Sequence, residues 1–202
     1  MSNMNTSPLL AAGLLDPVHD SQQAFRAVLD ALARPGQVRS IGPALAQVPL
    51  GGAMARLLLS LCDDETPVRW QHGDNEVPQW LRFHTGAPVA EPSEAVGFGV
   101  VTDLAQPVLL ADFAQGSAAS PEFSSTLLIE VPHLESGPLM AWTGPGIQET
   151  QLVGLQGLPF DFWSQWQANH ASFPQGVDII FTCGERALGL PRSTRVRHLE
   201  EV

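Results

Sequence analysis

Lysine and tyrosine are both absent from the 202 residues, so the ten basic side chains are all arginine. A lysine Schiff base and a phosphate-loop lysine are therefore excluded for this chain acting alone. Positive charge is scarce in general: ten arginines face 21 acids, giving a net charge of −11. That balance disfavours nucleic acid, whose phosphates need a basic face, and it repels anionic ligands unless arginines focus the field locally. Cysteine is nearly missing too. Cys62 and Cys183 lack metal-ligand spacing, cannot build a disulfide framework, and read as free buried thiols. No apolar run approaches the ~20 residues that span a bilayer. The HExxH pattern, closely paired Cys/His ligands and a G-x-S-x-G elbow are all lacking, which leaves no zinc signature and no serine nucleophile.

What is present belongs to a globular chain: 44% hydrophobic and 15% charged residues, at a length that one core can organise. The amino end carries an apolar stretch, Leu9 to Leu15, without a basic leading segment or an A-x-A-like cleavage site. Residues 1–15 read as a flexible leader, residues 16–202 as one domain, and the protein as cytoplasmic and not membrane-bound.

Apolar spacing predicts helices over Asp20–Leu32, Pro49–Cys62, Val77–His84 and Phe160–His170. In the first, Ala24, Phe25, Val28, Leu29 and Leu32 share a face, Asp20 with Gln23 resembles a capping box, and Arg34-Pro35-Gly36 stops the helix. Strands are expected over Val38–Ile41, Val68–Gln71, Val96–Thr102 and Thr126–Val131. Two more, Leu139–Thr143 and Ile147–Leu152, flank a Gly144-Pro145-Gly146 turn that is too short for a phosphate cradle. The irregular alternation of helices and strands implies an α/β fold with a mixed sheet flanked by helices.

Several clusters invite a chemical reading, and each has a plainer one. Asp63-Asp64-Glu65 offers clustered oxygens to a divalent cation, but no further acid stands at a recognisable spacing, and a solvated loop accounts for it. Arg82-Phe83-His84-Thr85-Gly86 puts a cation, an imidazole and a hydroxyl close together, and His84 there could move a proton. The same residues also suit a last helical turn, with Gly86 in the left-handed cap. Trp163 and Trp166 on the aromatic helix suit a core or an interface.

Cys183-Gly184-Glu185-Arg186 resembles a reactive cluster until its register is worked out. Gly184-Glu185 fits the centre of a type II′ turn, which pairs Cys183 with Arg186, Phe181 with Leu188 and Ile179 with Leu190. Val177, Ile179, Phe181, Leu188 and Leu190 then share one face, with Arg186 and Arg192 at its two ends. A hairpin explains the stretch without chemistry.

DPVHDSQQAFRAVLDALARPG, LCDDETPV, LRFHTGAPV, TGPGI and FPQGVDIIFTCGERALGLPRST occur here in order, between Asp16 and Arg195. Together they resemble the PhnH family, the H subunit of the bacterial carbon–phosphorus lyase system. One local difference is Gln175 in FPQG, where an apolar residue is common. The resemblance implies a fold similar to that of the pyridoxal-phosphate-dependent transferases but without the cofactor site, and zero lysines agree with that. It implies no cofactor and no metal in this subunit, a homodimer in isolation, and assembly with the G, I, J and K subunits. That machinery makes ribose 1-alkylphosphonate 5-triphosphate from ATP and an alkylphosphonate, displacing adenine, before the carbon–phosphorus bond is cleaved. The expected role is an accessory, non-catalytic subunit. The alternative is a substrate-binding or catalytic one, with an Arg/His phosphate pocket. Motif positions carried over as substrate-binding candidates are Asp63, Thr66, Arg82, His84, Arg186 and Arg192, and Pro67 and Pro191 belong to the same motifs.

Overall fold

The computed structural model describes residues 11–48, 50–71, 76–91 and 94–199. Among these residues four α-helices, α1 (Pro17–Ala33), α2 (Gly52–Leu61), α3 (Glu76–Thr85) and α4 (Phe162–Ala171), accompany nine strands. The strands are β1 (Arg39–Ser40), β2 (Val68–Trp70), β3 (Phe98–Val101), β4 (Thr126–Glu130), β5 (Leu139–Thr143), β6 (Gln151–Gly154), β7 (Asp178–Cys183), β8 (Arg186–Leu190) and β9 (Arg195–His198). Six of them form a sheet in the order β1-β8-β7-β4-β3-β2, and β6-β5-β9 form a second, smaller sheet. In the large sheet β2, β3, β4 and β7 run parallel, and β8 is antiparallel to both its neighbours, β7 and β1. The expected mixed α/β sheet flanked by helices is thus present.

The central strands are apolar on both faces because both are covered, as parallel strands require. Leu128, Ile180, Val100 and Ala187 face a core built with α1, α2 and α3. Their alternates Leu127, Ile129, Ile179, Phe181 and Leu188 face the small sheet and α4, among Trp142, Phe162 and Trp166. Trp166 is fully buried there, and half-buried Trp163 meets Trp142 and Phe162 edge-on.

The β7–β8 hairpin has the predicted register, with Ile179 opposite Leu190, Phe181 opposite Leu188 and Cys183 opposite Arg186. In its two-residue turn only Gly184 has a positive φ, +57°, which fits type II′.

Three expectations need correction. The cap of α1 is Asp16, not Asp20: the Asp16 carboxylate accepts from His19 N–H at 3.1 Å, and Asp20 reaches back to Asp16 N–H at 3.3 Å. Pro17 is favoured in a first turn, so the helix starts there. The buried stripe of α1 is Ala24, Val28 and Ala31, while Phe25 and Leu29 are half exposed. The reason is close packing: a Cβ added at Gly189 of β8 would come within 2.7 Å of Ala31 O, so only small residues fit between. The strand expected at Ile147–Leu152 begins only at Gln151. Residues 144–150 instead form a loop against the end of α1, where Gly146, at φ +82°, has no room for a Cβ beside Ala33 O.

Candidate functional site

Arg192 follows β8 and Pro191, at the open end of the hairpin, and Asp178 opens β7 beside it. Its backbone N–H donates to Asp178 Oδ1 at 2.7 Å, and its guanidinium Nε donates to the same oxygen at 3.1 Å. Nη1 donates to the carbonyls of Pro121 and Pro174, at 2.9 and 3.4 Å, and Nη2 to Ser124 Oγ and Asp178 Oδ2. A guanidinium has five N–H groups, and all are engaged by the protein itself. With only 14% of its side chain exposed, Arg192 fastens three segments together.

Asp63, Thr66, Arg82 and His84 share another corner. Thr66 Oγ1 donates to Asp63 Oδ1 at 2.5 Å and Glu65 N–H to the same oxygen at 3.1 Å, so the acid shapes its own loop. That loop touches the end of α3, because a Cβ added at Gly86 would lie 3.0 Å from Asp64 Cβ. Gly86, at φ +80°, closes the helix by donating to Arg82 O at 2.8 Å. His84 Nε2 lies 3.0 Å from Ala11 O, and Trp80 Nε1 donates to the same carbonyl at 3.0 Å. A carbonyl only accepts, so Nε2 carries the proton there. Ala11, within the expected leader, is consequently buried, whereas residues 1–10 lie outside the described residues. Arg82 is exposed.

Arg186 belongs to the opposite end of the hairpin. Its Nη1 donates to Glu135 Oε2 at 2.5 Å, in a pair with 46% and 62% of the two side chains exposed. Six residues of extended chain put it roughly 20 Å from Arg192. The structure therefore brings Asp63 and Thr66 together near Arg82 and His84, and leaves Arg186 and Arg192 apart from them and from each other.

The hairpin turn itself serves as a joint. Gly184 O accepts from Ala53 N–H at 2.7 Å in the first turn of α2, Glu185 Oε1 from Ala44 N–H at 2.9 Å, and Glu185 O from Ile41 N–H at 2.9 Å. Cys183 is half-buried, not buried as expected, and its Sγ donates to Pro132 O at 3.1 Å. Cys62 is buried as expected, and burial, with the charge of Asp63 beside it, pushes its thiol up to about 12, which leaves it inert.

The open space lies at the carboxyl ends of the parallel strands, where sheets of this class hold ligands. A cleft of about 710 Å³ is lined there by Thr102, Asp103, Glu130, Pro132, Cys183 and Gly184. Glu130 closes β4. Burial raises its carboxyl above the ordinary carboxylate range, and the Gly51 N–H at the start of α2 partly opposes that by hydrogen bonding. A Cβ at Gly51 would sit 2.4 Å from Glu130 Oε1, so a larger residue there would displace the Glu130 carboxyl. Asp103 is held through Gln71, whose Oε1 accepts from Asp103 N–H at 2.9 Å and whose Nε2 donates to Asp103 O at 2.7 Å. Sequence reasoning missed Glu130; its one signal is an acid closing the apolar run Thr126–Glu130 beside no other motif. Among the described residues, no group of three or more His, Cys, Asp or Glu side chains could hold a metal ion, Asp63-Asp64-Glu65 included. No helix among them is long and apolar enough to cross a membrane.

A family model described as "Bacterial phosphonate metabolism protein (PhnH)" matches residues 12–197. The chain belongs to the PhnH family. Its signatures, from the α1 segment to the β7–β8 hairpin, fall within the matched span. One PhnH relative, "Alpha-D-ribose 1-methylphosphonate 5-triphosphate synthase subunit PhnH" of Rhizobium meliloti (strain 1021), is 37% identical over 194 residues, covering 94% of this chain and 96% of that protein. A second, "Putative C-P lyase subunit protein HtxG" of Stutzerimonas stutzeri, is 30% identical over 203 residues, with 96% and 95% covered.

Proposed function

We propose that this PhnH-family chain is an accessory, non-catalytic subunit of a carbon–phosphorus lyase core complex in the cytoplasm. In that assembly it supports formation of ribose 1-alkylphosphonate 5-triphosphate from ATP and an alkylphosphonate. It pairs with itself when isolated and joins the G, I, J and K subunits when they are present. Its likeness to the pyridoxal-phosphate-dependent transferases extends to the fold and not to the cofactor, because a chain without lysine cannot form an internal aldimine.

The observation that carries this reading is how five of the six candidate residues are spent; the sixth, Arg82, is exposed at the surface. Arg192 donates all its hydrogen bonds to the protein, His84 holds Ala11, Asp63 shapes its own loop, and Arg186 faces Glu135 far from the rest. A phosphate pocket needs such groups converging on shared empty space. Here they secure the fold and its loops.

The test is a purified complex carrying Arg82→Ala and His84→Ala together in this subunit. Adenine release from ATP and methylphosphonate should stay within about twofold of wild type, far below the hundredfold cost of removing a catalytic acid or base. A loss of about a hundredfold, with subunit stoichiometry unchanged, would establish the catalytic alternative instead.

A further inference from the structure

The arginines of this acidic chain are mostly occupied. Arg34, Arg39, Arg56, Arg186 and Arg192 each face a carboxylate, and Arg69 donates to the carbonyls of Asp112 and Glu94. Arg195 and Arg197 on β9 depart from that pattern. Both are exposed, and among the described residues neither has an acidic partner at ion-pair distance. Val196 between them is 3% exposed and lies opposite Trp142 in the core. The two arginines therefore leave β9 on the other side, roughly 7 Å from each other.

That other side is the outer face of the small sheet, and the strand register decides which residues share it. Directly opposed residues of antiparallel strands point the same way. Arg195 stands opposite Thr143, and Arg197 opposite Ala141, which in turn faces Leu152 on β6. Leu139 is opposite Gly154 and leans across it, its Cδ2 3.3 Å from where a Cβ would stand. Leu139 and Leu152 are 50% and 49% exposed, while the alternates Met140, Trp142 and Val153 are buried on the inner face. The outer face thus has an apolar centre, two cations along one border, and no acid at any of these positions.

We infer that this outer face docks an acidic surface of another subunit in the assembly proposed above. That surface sets an apolar side chain on Leu139, Ala141 and Leu152 and carboxylates on Arg195 and Arg197. The inference rests on the reading of this chain as a subunit, and the charge pattern selects the occupant. An apolar centre bordered by arginine is the usual anatomy of a protein contact, and guanidiniums there pair with carboxylates in two-pronged fashion. A second copy meeting this face about a two-fold axis would present the same patch, which brings four arginines and no carboxylate into one contact. Area argues the same way. Three strands about 4.8 Å apart, over three rows about 7 Å apart, cover roughly 300 Å², against about 800 Å² per partner in a stable pair. A contact of that size holds as one of several within an assembly. An open sheet face also lacks the concavity that a small ligand needs.

Co-expression of the full chain with the G, I, J and K subunits, with the affinity tag on one of those, tests it. Wild type should be recovered in fixed stoichiometry with the tagged subunit. The Arg195→Glu/Arg197→Glu double variant sets like charges against each other and should be recovered at less than about a tenth of that amount. Alone, it should keep the wild-type sedimentation coefficient and circular dichroism. Undiminished recovery of the variant overturns the docking face and leaves the subunit reading intact. Failure of wild type itself to co-purify overturns both. A variant that loses self-association while still joining the other subunits assigns the face to a second copy, and so overturns the inference. Should the double variant misfold, Leu152→Glu on β6 decides by the same criterion.

Discussion

At the edge where the parallel strands begin, polar side chains close the fold; at the edge where they end, several line open space. Arg192, Asp178 and Ser124 form a saturated nest at the first edge, and Asp63 with Thr66 forms a self-contained turn there. At the second edge Glu130, Asp103 and Cys183 line a cleft, and Arg186 has a single exposed partner. The two ends of one hairpin thus carry arginines of the same type with opposite circumstances. A charge in a motif therefore says little about function until its partners are counted.

The largest effect that would test this contrast belongs to Arg192→Ala. Removing the cation leaves the Asp178 carboxylate, 22% exposed, without its partner, and two loops without their anchor. Urea unfolding should show a loss of about 3 kcal/mol. A loss below about 1 kcal/mol would mean that the nest does not hold the fold.

Glu130→Gln tests the other edge through pH. The folded carboxyl holds its proton more tightly than the unfolded one, because burial disfavours the charge. Its contribution to stability is complete below the unfolded value and is lost as pH rises through the raised folded value. The glutamine variant should accordingly melt above wild type near neutral pH, and the gap should shrink on acidification toward about pH 4. Parallel melting curves across that range would show that the cleft does not desolvate Glu130.

The smallest effect belongs to Arg186→Ala. An exposed pair of this kind contributes at most about 0.5 kcal/mol after solvent screening, so urea midpoints should barely move. A cost as large as that of Arg192→Ala would erase the distinction between the two edges.

How much was legible beforehand follows from how local each feature is. The hairpin was predicted pair by pair, because alternation and a glycine-led two-residue turn leave one workable register. The start of α1 was displaced because Asp16 and Asp20 both suit a cap, and Pro17 decided between them. The late start of β6 was invisible because Ile147 is apolar in either role; it packs against the core from a loop, without a strand. Among site residues, Arg192 was visible as a hairpin-end cation, but its partners at 121, 124, 174 and 178 come from distant parts of the chain. Glu130 carried no motif, since its unusual proton affinity comes from burial near the start of α2. β9, which carries Arg195 and Arg197, was not expected, because a four-residue strand with one buried residue leaves little alternation to detect.

The sequence by itself determined the family, the mixed α/β class, the hairpin register and the exclusion of lysine chemistry. Each of these depends on residue identity or on patterns within some twenty neighbouring positions. Only the tertiary structure decided which charges are consumed and which face open space. A hydrogen bond or ion pair requires a partner within about 3–4 Å, and across this fold those partners are supplied by segments tens of residues apart.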